Sequence, residues 1–243
     1  MRGARAALVF LTRLPAGRLQ AEDFAAAPGW FAAVGLLIGA LQAAVFVIAS
    51  ILWPPALAAL LAVAVGLLIT GGLHEDGLAD VFDGLGSGSP KPRALEIMRD
   101  SQIGSYGALS LGLAMAARIL ALTALGPLAP PLLIAGQGAS RAAMAMILRK
   151  GPYLRASGAG TGMTGALGAA GGVALVIALI FALSLAGWGV GWAALGGVAG
   201  LLSGAGAMRL WAMRRLGGVT GDVLGGAQVL GDIGFLLGVL ACL

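Results

Sequence analysis

Charge is scarce in this chain. Only 10% of its 243 residues are Asp, Glu, Lys or Arg, and 59% are hydrophobic. Soluble domains carry about 25% charged residues. With a mean hydropathy of +0.98, the shortfall is too large for a buried core to explain. Lipid must be the main solvent, and residues 1–243 read as one all-α integral-membrane domain. The single cysteine, Cys242, excludes an intrachain disulfide and a multi-cysteine zinc site. The single histidine, His74, excludes a histidine cluster. No internal repeat is visible, so an inverted-repeat transporter finds no direct support. A cleaved signal is also missing: Ala6–Thr12 is short, and Arg13 interrupts it. Ala4–Leu14 reads instead as an interfacial helix with Leu8, Phe10 and Leu11 toward lipid. The net charge of +5 would indicate nucleic acid in a soluble protein. Basic loops that orient membrane helices account for it here, and no nucleic-acid partner is expected.

Apolar runs of about 20 residues mark the spans. Trp30–Trp53 is followed by a Pro54-Pro55 turn, and Ala56–Leu73 returns. Tyr106–Leu125 and Leu132–Leu148 are the third and fourth spans. Gly165–Ala186, Gly189–Met208 and Val223–Leu243 complete a bundle of about seven. The loops 74–105, 149–164 and 209–222 then share one side with Arg2, Arg5, Arg13 and Arg18. The opposite turns, at Pro54, Gly126–Pro131 and Gly187–Gly189, hold no charge. That asymmetry predicts a cytoplasmic N-terminus and a working face on the cytoplasmic side of a bacterial inner membrane. Glycine pairs at four-residue spacing, Gly35/Gly39, Gly168/Gly172, Gly196/Gly200/Gly204 and Gly234/Gly238, predict close helix packing.

Six of the ten acidic residues lie between Glu75 and Asp100. If the second span continues as a helix, Asp76, Asp80 and Asp83 fall at i, i+4 and i+7, a stripe within roughly 60° of arc. Like charges at that spacing are unfavourable, and a divalent cation would offset them. Two or three carboxylates suit Mg²⁺, which keeps waters and binds phosphates. Gly77 and Gly84 would leave room for a bulky substrate. The plain alternative is a solvated acidic helix end. His74 beside the cluster fits either an interfacial histidine or a substrate contact.

A second segment, Arg99-Asp100-Ser101-Gln102-Ile103-Gly104-Ser105, precedes the third span. Ser101, Gly104, Ser105 and Gly107 supply hydroxyls and N–H groups that can cradle phosphate, and Arg99 adds a bidentate fork. Asp100 reads as a further metal ligand or a base, and Glu75 is the other candidate base. Asp222, where the last span begins, adds either a further metal-binding carboxylate or an N-cap. Arg118, Arg141 and Asp232 lie within spans, where charges are costly and face the bundle interior. Arg141, roughly 10 Å from the charged end, can reach an anionic substrate. Arg118 and Asp232 lie deeper and can pair.

Together these segments resemble the cobalamin synthase family, the adenosylcobinamide-GDP ribazoletransferases. The resemblance rests on Phe10-Leu11-Thr12-Arg13-Leu14-Pro15, on Gly71-Gly72-Leu73-His74-Glu75-Asp76-Gly77-Leu78-Ala79-Asp80 with Asp83-Gly84, and on Met98-Arg99-Asp100-Ser101 with Ile103-Gly104-Ser105-Tyr106-Gly107. Ser140-Arg141 and Thr220-Gly221-Asp222 complete it. The family's acidic residue in the last span region matches Asp232. The resemblance implies an Mg²⁺-dependent membrane enzyme that joins adenosylcobinamide-GDP to α-ribazole or its 5′-phosphate and releases GMP. Homo-oligomers and contacts with cytoplasmic enzymes of the same pathway are compatible partners. CDP-alcohol phosphotransferases and membrane prenyltransferases also hold Mg²⁺ with helical aspartates, but neither aspartate pattern is complete here. A transporter is the alternative of a different class.

Overall fold

Two consecutive glycines decide how the acidic segment enters the bundle. Gly71 and Gly72 both adopt left-handed backbone, with φ of 68° and 69°, a conformation that costs residues with a Cβ about 1 kcal/mol or more. Helix α3 (Pro55–Thr70) ends there, and α4 (Leu73–Gly86) begins. The two are bent by 89°. The expectation of one continuous helix through Asp76, Asp80 and Asp83 is therefore corrected. The stripe belongs to a separate helix, because the paired left-handed glycines terminate the span.

The computed structural model describes residues 2–154, 161–164 and 168–243. Parts of the predicted loop 149–164 and the first residues of the predicted span Gly165–Ala186 lie outside them. The other helices are α1 (Arg2–Leu11), α2 (Phe31–Leu52), α5 (Lys91–Ile97), α6 (Ser105–Leu125), α7 (Ala129–Lys150), α8 (Gly168–Val190), α9 (Ala193–Leu216) and α10 (Gly221–Leu240). A 3₁₀ segment, Ala21–Trp30, leads into α2. Among the described residues the sole β-type pairing is an isolated bridge between Tyr153 and Val219. By length and apolar composition five helical runs can cross a membrane, or six if the bent α3–α4 pair is one span. The run Ser105–Lys150 counts as one of the five, although Gly126, at φ 51° and ψ −120°, breaks its helical path between α6 and α7. The protein is a helical membrane bundle.

Glycine sets much of the packing. A Cβ on Gly39 would meet α7 backbone at Ile134 Cα, 2.7 Å away. On α9 and α10, Gly200 faces Gly234 and Gly196 faces Gly238, so the two backbones run in contact. Small residues allow this approach, and dispersion then holds the helices in lipid. Gly168 and Gly172 do not take part, because a Cβ there would meet nothing within 4 Å. Their expected packing role is corrected.

The N-terminal helix also departs from expectation. Leu11 is fully buried rather than lipid-facing, and Phe10 stacks on Phe31 with ring centroids 5.6 Å apart. Residues Ala6 and Ala7 let α1 sit flush against the bundle, so its apolar face is spent on protein contacts. Just beyond it, the Arg13 N–H donates to the Ile69 carbonyl at 2.7 Å, and the Arg13 side chain packs over Gly71. The Phe10–Pro15 motif thereby braces the α3–α4 break.

The charged loops gather at one end of the bundle. The Arg215 guanidinium, at the end of α9, donates to the Ser89 carbonyl at 3.0 Å, and Tyr153 bridges Val219. At the other end, Pro55, Gly126, Pro127 and Pro130 line one cavity, and Gly189 abuts Pro131.

Candidate active site

Helix α4 carries the site because three of its faces do different work. Leu78, Val81 and Leu85 are buried in the core. A second face packs on α10 so closely that a Cβ on Gly77 would lie 2.9 Å from Asp222 Cα. A Cβ on Gly225 would likewise lie 3.1 Å from His74 Cα. Gly84 is filled in the same way, with the Ala94 carbonyl 2.9 Å from its would-be Cβ. The expectation that Gly77 and Gly84 leave room for substrate is corrected: both spaces are occupied by neighbouring chain.

The remaining face holds Asp76, Asp80 and Asp83, but the stripe is divided. Asp76, exposed, and Asp80, half-buried, line a cavity of about 310 Å³ with Arg99, Asp100, Ser101 and Gln102. Asp83 turns the other way. Its Oδ2 accepts from the Gly104 N–H at 2.7 Å and its Oδ1 from the Gly107 N–H at 2.8 Å. These are donors at the start of α6 that lack intrahelical partners. A carboxylate there also meets the positive end of the helix dipole. Two of the N–H groups read as a phosphate cradle thus hold Asp83. Gly104 and Ser105 themselves line an adjoining cavity of about 300 Å³ with Asp83, Arg93, Glu96 and Asp100. Asp100 and Gln102 border both cavities, so the two form one continuous polar surface. The Asp100 carboxylate accepts from the Gln102 N–H at 3.1 Å, which fixes this wall.

Four predicted residues line neither cavity. Asp222 sits in the first turn of α10 with its backbone against Gly77. Thr220 is the N-cap of α10, its Oγ1 accepting from the Val223 N–H at 3.3 Å, so the N-cap alternative for Asp222 is corrected. His74, Glu75 and Arg141 are buried, at 2%, 9% and 1% exposure, and line neither cavity. Arg141 donates to the carbonyl and to Oε1 of Gln137. Among the described residues, no group of three His, Cys, Asp or Glu side chains is placed to hold a metal ion.

The interior holds a second polar assembly. Arg118 on α6 pairs with Glu75 on α4 and with Asp232 on α10, both at 2.8 Å. The predicted Arg118–Asp232 pair is present, and Glu75 joins it. Gln228 donates to Ser140 Oγ at 3.0 Å and ties α10 to α7. Gln137, Gln228 and Gln102 were not singled out from the sequence. A polar residue in the middle of an apolar span was the available signal for the first two; for Gln102 there was none beyond its neighbours.

The fold defines a multi-pass helical integral membrane protein, and its carboxylates, a guanidinium and a serine hydroxyl converge on one end cavity. The family model for cobalamin-5-phosphate synthase matches residues 3–240, and the chain belongs to that family. Relatives named adenosylcobinamide-GDP ribazoletransferase include a protein of Azorhizobium caulinodans, 43% identical over 97% of this chain and 94% of its own. One from Vibrio cholerae is 36% identical over 98% and 92%, and one from Escherichia coli O157:H7 is 38% identical over 97% and 98%. No solved structure matches the chain.

Proposed function

We propose that this protein transfers the phosphocorrinoid of adenosylcobinamide-GDP to α-ribazole or its 5′-phosphate, releasing GMP, at the cavity between α4 and the segment 98–103. The observation that carries the reading is the convergence of Asp76, Asp80, Arg99, Asp100 and Ser101 on that one cavity, in a chain whose relatives bear the ribazoletransferase name.

Asp76 and Asp80 stand one turn apart and face the same space, a donor set that fits Mg²⁺ held by one or two carboxylates together with substrate phosphates. When bound, the ion would neutralise diphosphate charge. The Arg99 guanidinium supplies paired donors to phosphate oxygens, and the Ser101 hydroxyl adds a further donor. Asp100, on the wall shared by both cavities, takes the proton from the ribose hydroxyl as it attacks the phosphorus next to the aminopropanol arm. GMP leaves from the opposite side. Asp100 suits this role better than Glu75, which is buried against Arg118. Asp83 acts through α6, by fixing the loop that carries Ser101 and Gly104. Arg141 and His74, sealed in the interior, support the helices behind the cavity rather than touching substrate.

The charged end faces the cytoplasm in this reading, with the N-terminus on the same side and seven spans formed by α2, α3 and α6–α10, because basic residues favour that side. Incubating the detergent-purified protein with Mg²⁺, adenosylcobinamide-GDP and α-ribazole 5′-phosphate tests the proposal. GMP should appear only when both substrates are present; no GMP from folded protein would exclude it.

A further inference from the structure

A second large cavity, of about 450 Å³, opens between α7, α8 and α9. It shares none of its lining residues with the polar surface described above. Its walls repeat one pattern on two helices. On α7 they run from Ala139 to Lys150, and on α9 from Val198 to Arg209, each at i, i+3, i+4, i+7, i+8 and i+11. Both helices lead toward the charged end, so the groove is apolar along its length and closes on two cations. Among the described residues, no acidic side chain lines it. Leu179 and Leu183 of α8 form the third side.

The groove's length has meaning in a bilayer. Eleven residues of helix rise about 16 Å, close to half of a hydrocarbon core of roughly 30 Å. It therefore matches the depth of one leaflet. The small residues on its floor, Ala142, Ala143, Ala205 and Gly206 among them, leave the space unfilled. Arg209 Nε is buried and has no hydrogen-bond partner among the described residues, and a buried donor that nothing meets is unfavourable.

We infer that this groove binds an anionic phospholipid of the leaflet at the charged end. An acyl chain lies between α7 and α9 against α8, and the headgroup phosphate sits between Lys150 and Arg209. Charge complementarity selects the headgroup, since basic pockets between membrane helices attract anionic lipids. Phosphate oxygens accept from both the Arg209 and Lys150 donors. The apolar floor requires the chain, which inorganic phosphate alone does not supply. The lipid seals the open seam between α8 and α9.

Thermal unfolding of the full chain in detergent tests this, with phosphatidylglycerol or phosphatidylcholine of the same chain length added. Phosphatidylglycerol should raise Tm by several degrees and phosphatidylcholine should not. Inorganic phosphate should have no effect. The double variant Lys150→Ala/Arg209→Ala should lose the phosphatidylglycerol response while keeping GMP release, because neither residue lines the polar cavities. Gly206→Leu offers a second route, as a Cβ there meets nothing within 4 Å; it should fill the groove and reduce phospholipid retained in native mass spectra. An equal response to both lipids, or an unchanged response in the double variant, overturns the assignment. So does a native dimer that Gly206→Leu dissociates, which would assign the groove to a second copy of this chain.

Discussion

Arg118 on α6 donates to Glu75 on α4 at 2.8 Å inside the bundle, and the pair fastens the site-bearing helix to the membrane core. The same guanidinium reaches Asp232 on α10, so one side chain joins three helices. Glu75 and Asp76 are adjacent in sequence yet point to opposite environments, one into the interior and one to the cavity. The cavity-lining face of α4 is held from behind by this ion-pair triad.

Removing Arg118 should therefore act on stability first. Arg118→Leu removes the guanidinium paired directly with both buried carboxylates, and breaking a buried pair in this way costs about 3–5 kcal/mol. Arg118→Lys should be milder but still damaging, because an ammonium lacks the fork that spans two carboxylates. Thermal unfolding in detergent reads both. A Leu variant with unchanged Tm would show that the triad does not hold α4.

Asp83 and Asp76 should separate in the same assay. Asp83→Ala frees two N–H groups at the start of α6, and losing such a cap costs about 1–2 kcal/mol. Asp83→Asn should recover part of that loss. Asp76→Asn, at an exposed position, should stay within about 0.5 kcal/mol of the parent and lose transfer activity instead. Equal stability for Asp83→Ala and the parent would contradict the capping role.

Glycine substitutions test the packing of α4 on α10. Gly77→Ala drives a methyl group to within 2.8 Å of the Asp222 carbonyl, and such overpacking costs about 1–3 kcal/mol. Gly172→Ala meets open space and should be neutral or stabilising by up to about 1 kcal/mol. Unfolding midpoints for the pair should differ in sign or clearly in size.

Much of this was legible in the sequence because lipid imposes a simple grammar of long apolar runs and one-sided charge. The span α2 lies within one or two residues of its expected bounds, and Arg118 does pair with Asp232. The break at Gly71-Gly72 was harder to see, since a glycine pair in an apolar span reads equally well as close packing. The direction of Asp83 was not legible either. Three aspartates on one helical face look equivalent until the start of α6 arrives beside one of them. Glu75 was read with its acidic neighbours, whereas helix geometry turns it by about 100° from Asp76 and into the core.

GMP release by the purified protein, compared between the parent and Asp80→Asn, tests the central claim most directly. The parent should release GMP only with both substrates and Mg²⁺ present. Asp80→Asn should be slower by about 10²-fold or more while the protein remains folded. A folded Asp80→Asn protein working at the parent rate, or release by the parent that persists after chelation of divalent cations, would contradict the account.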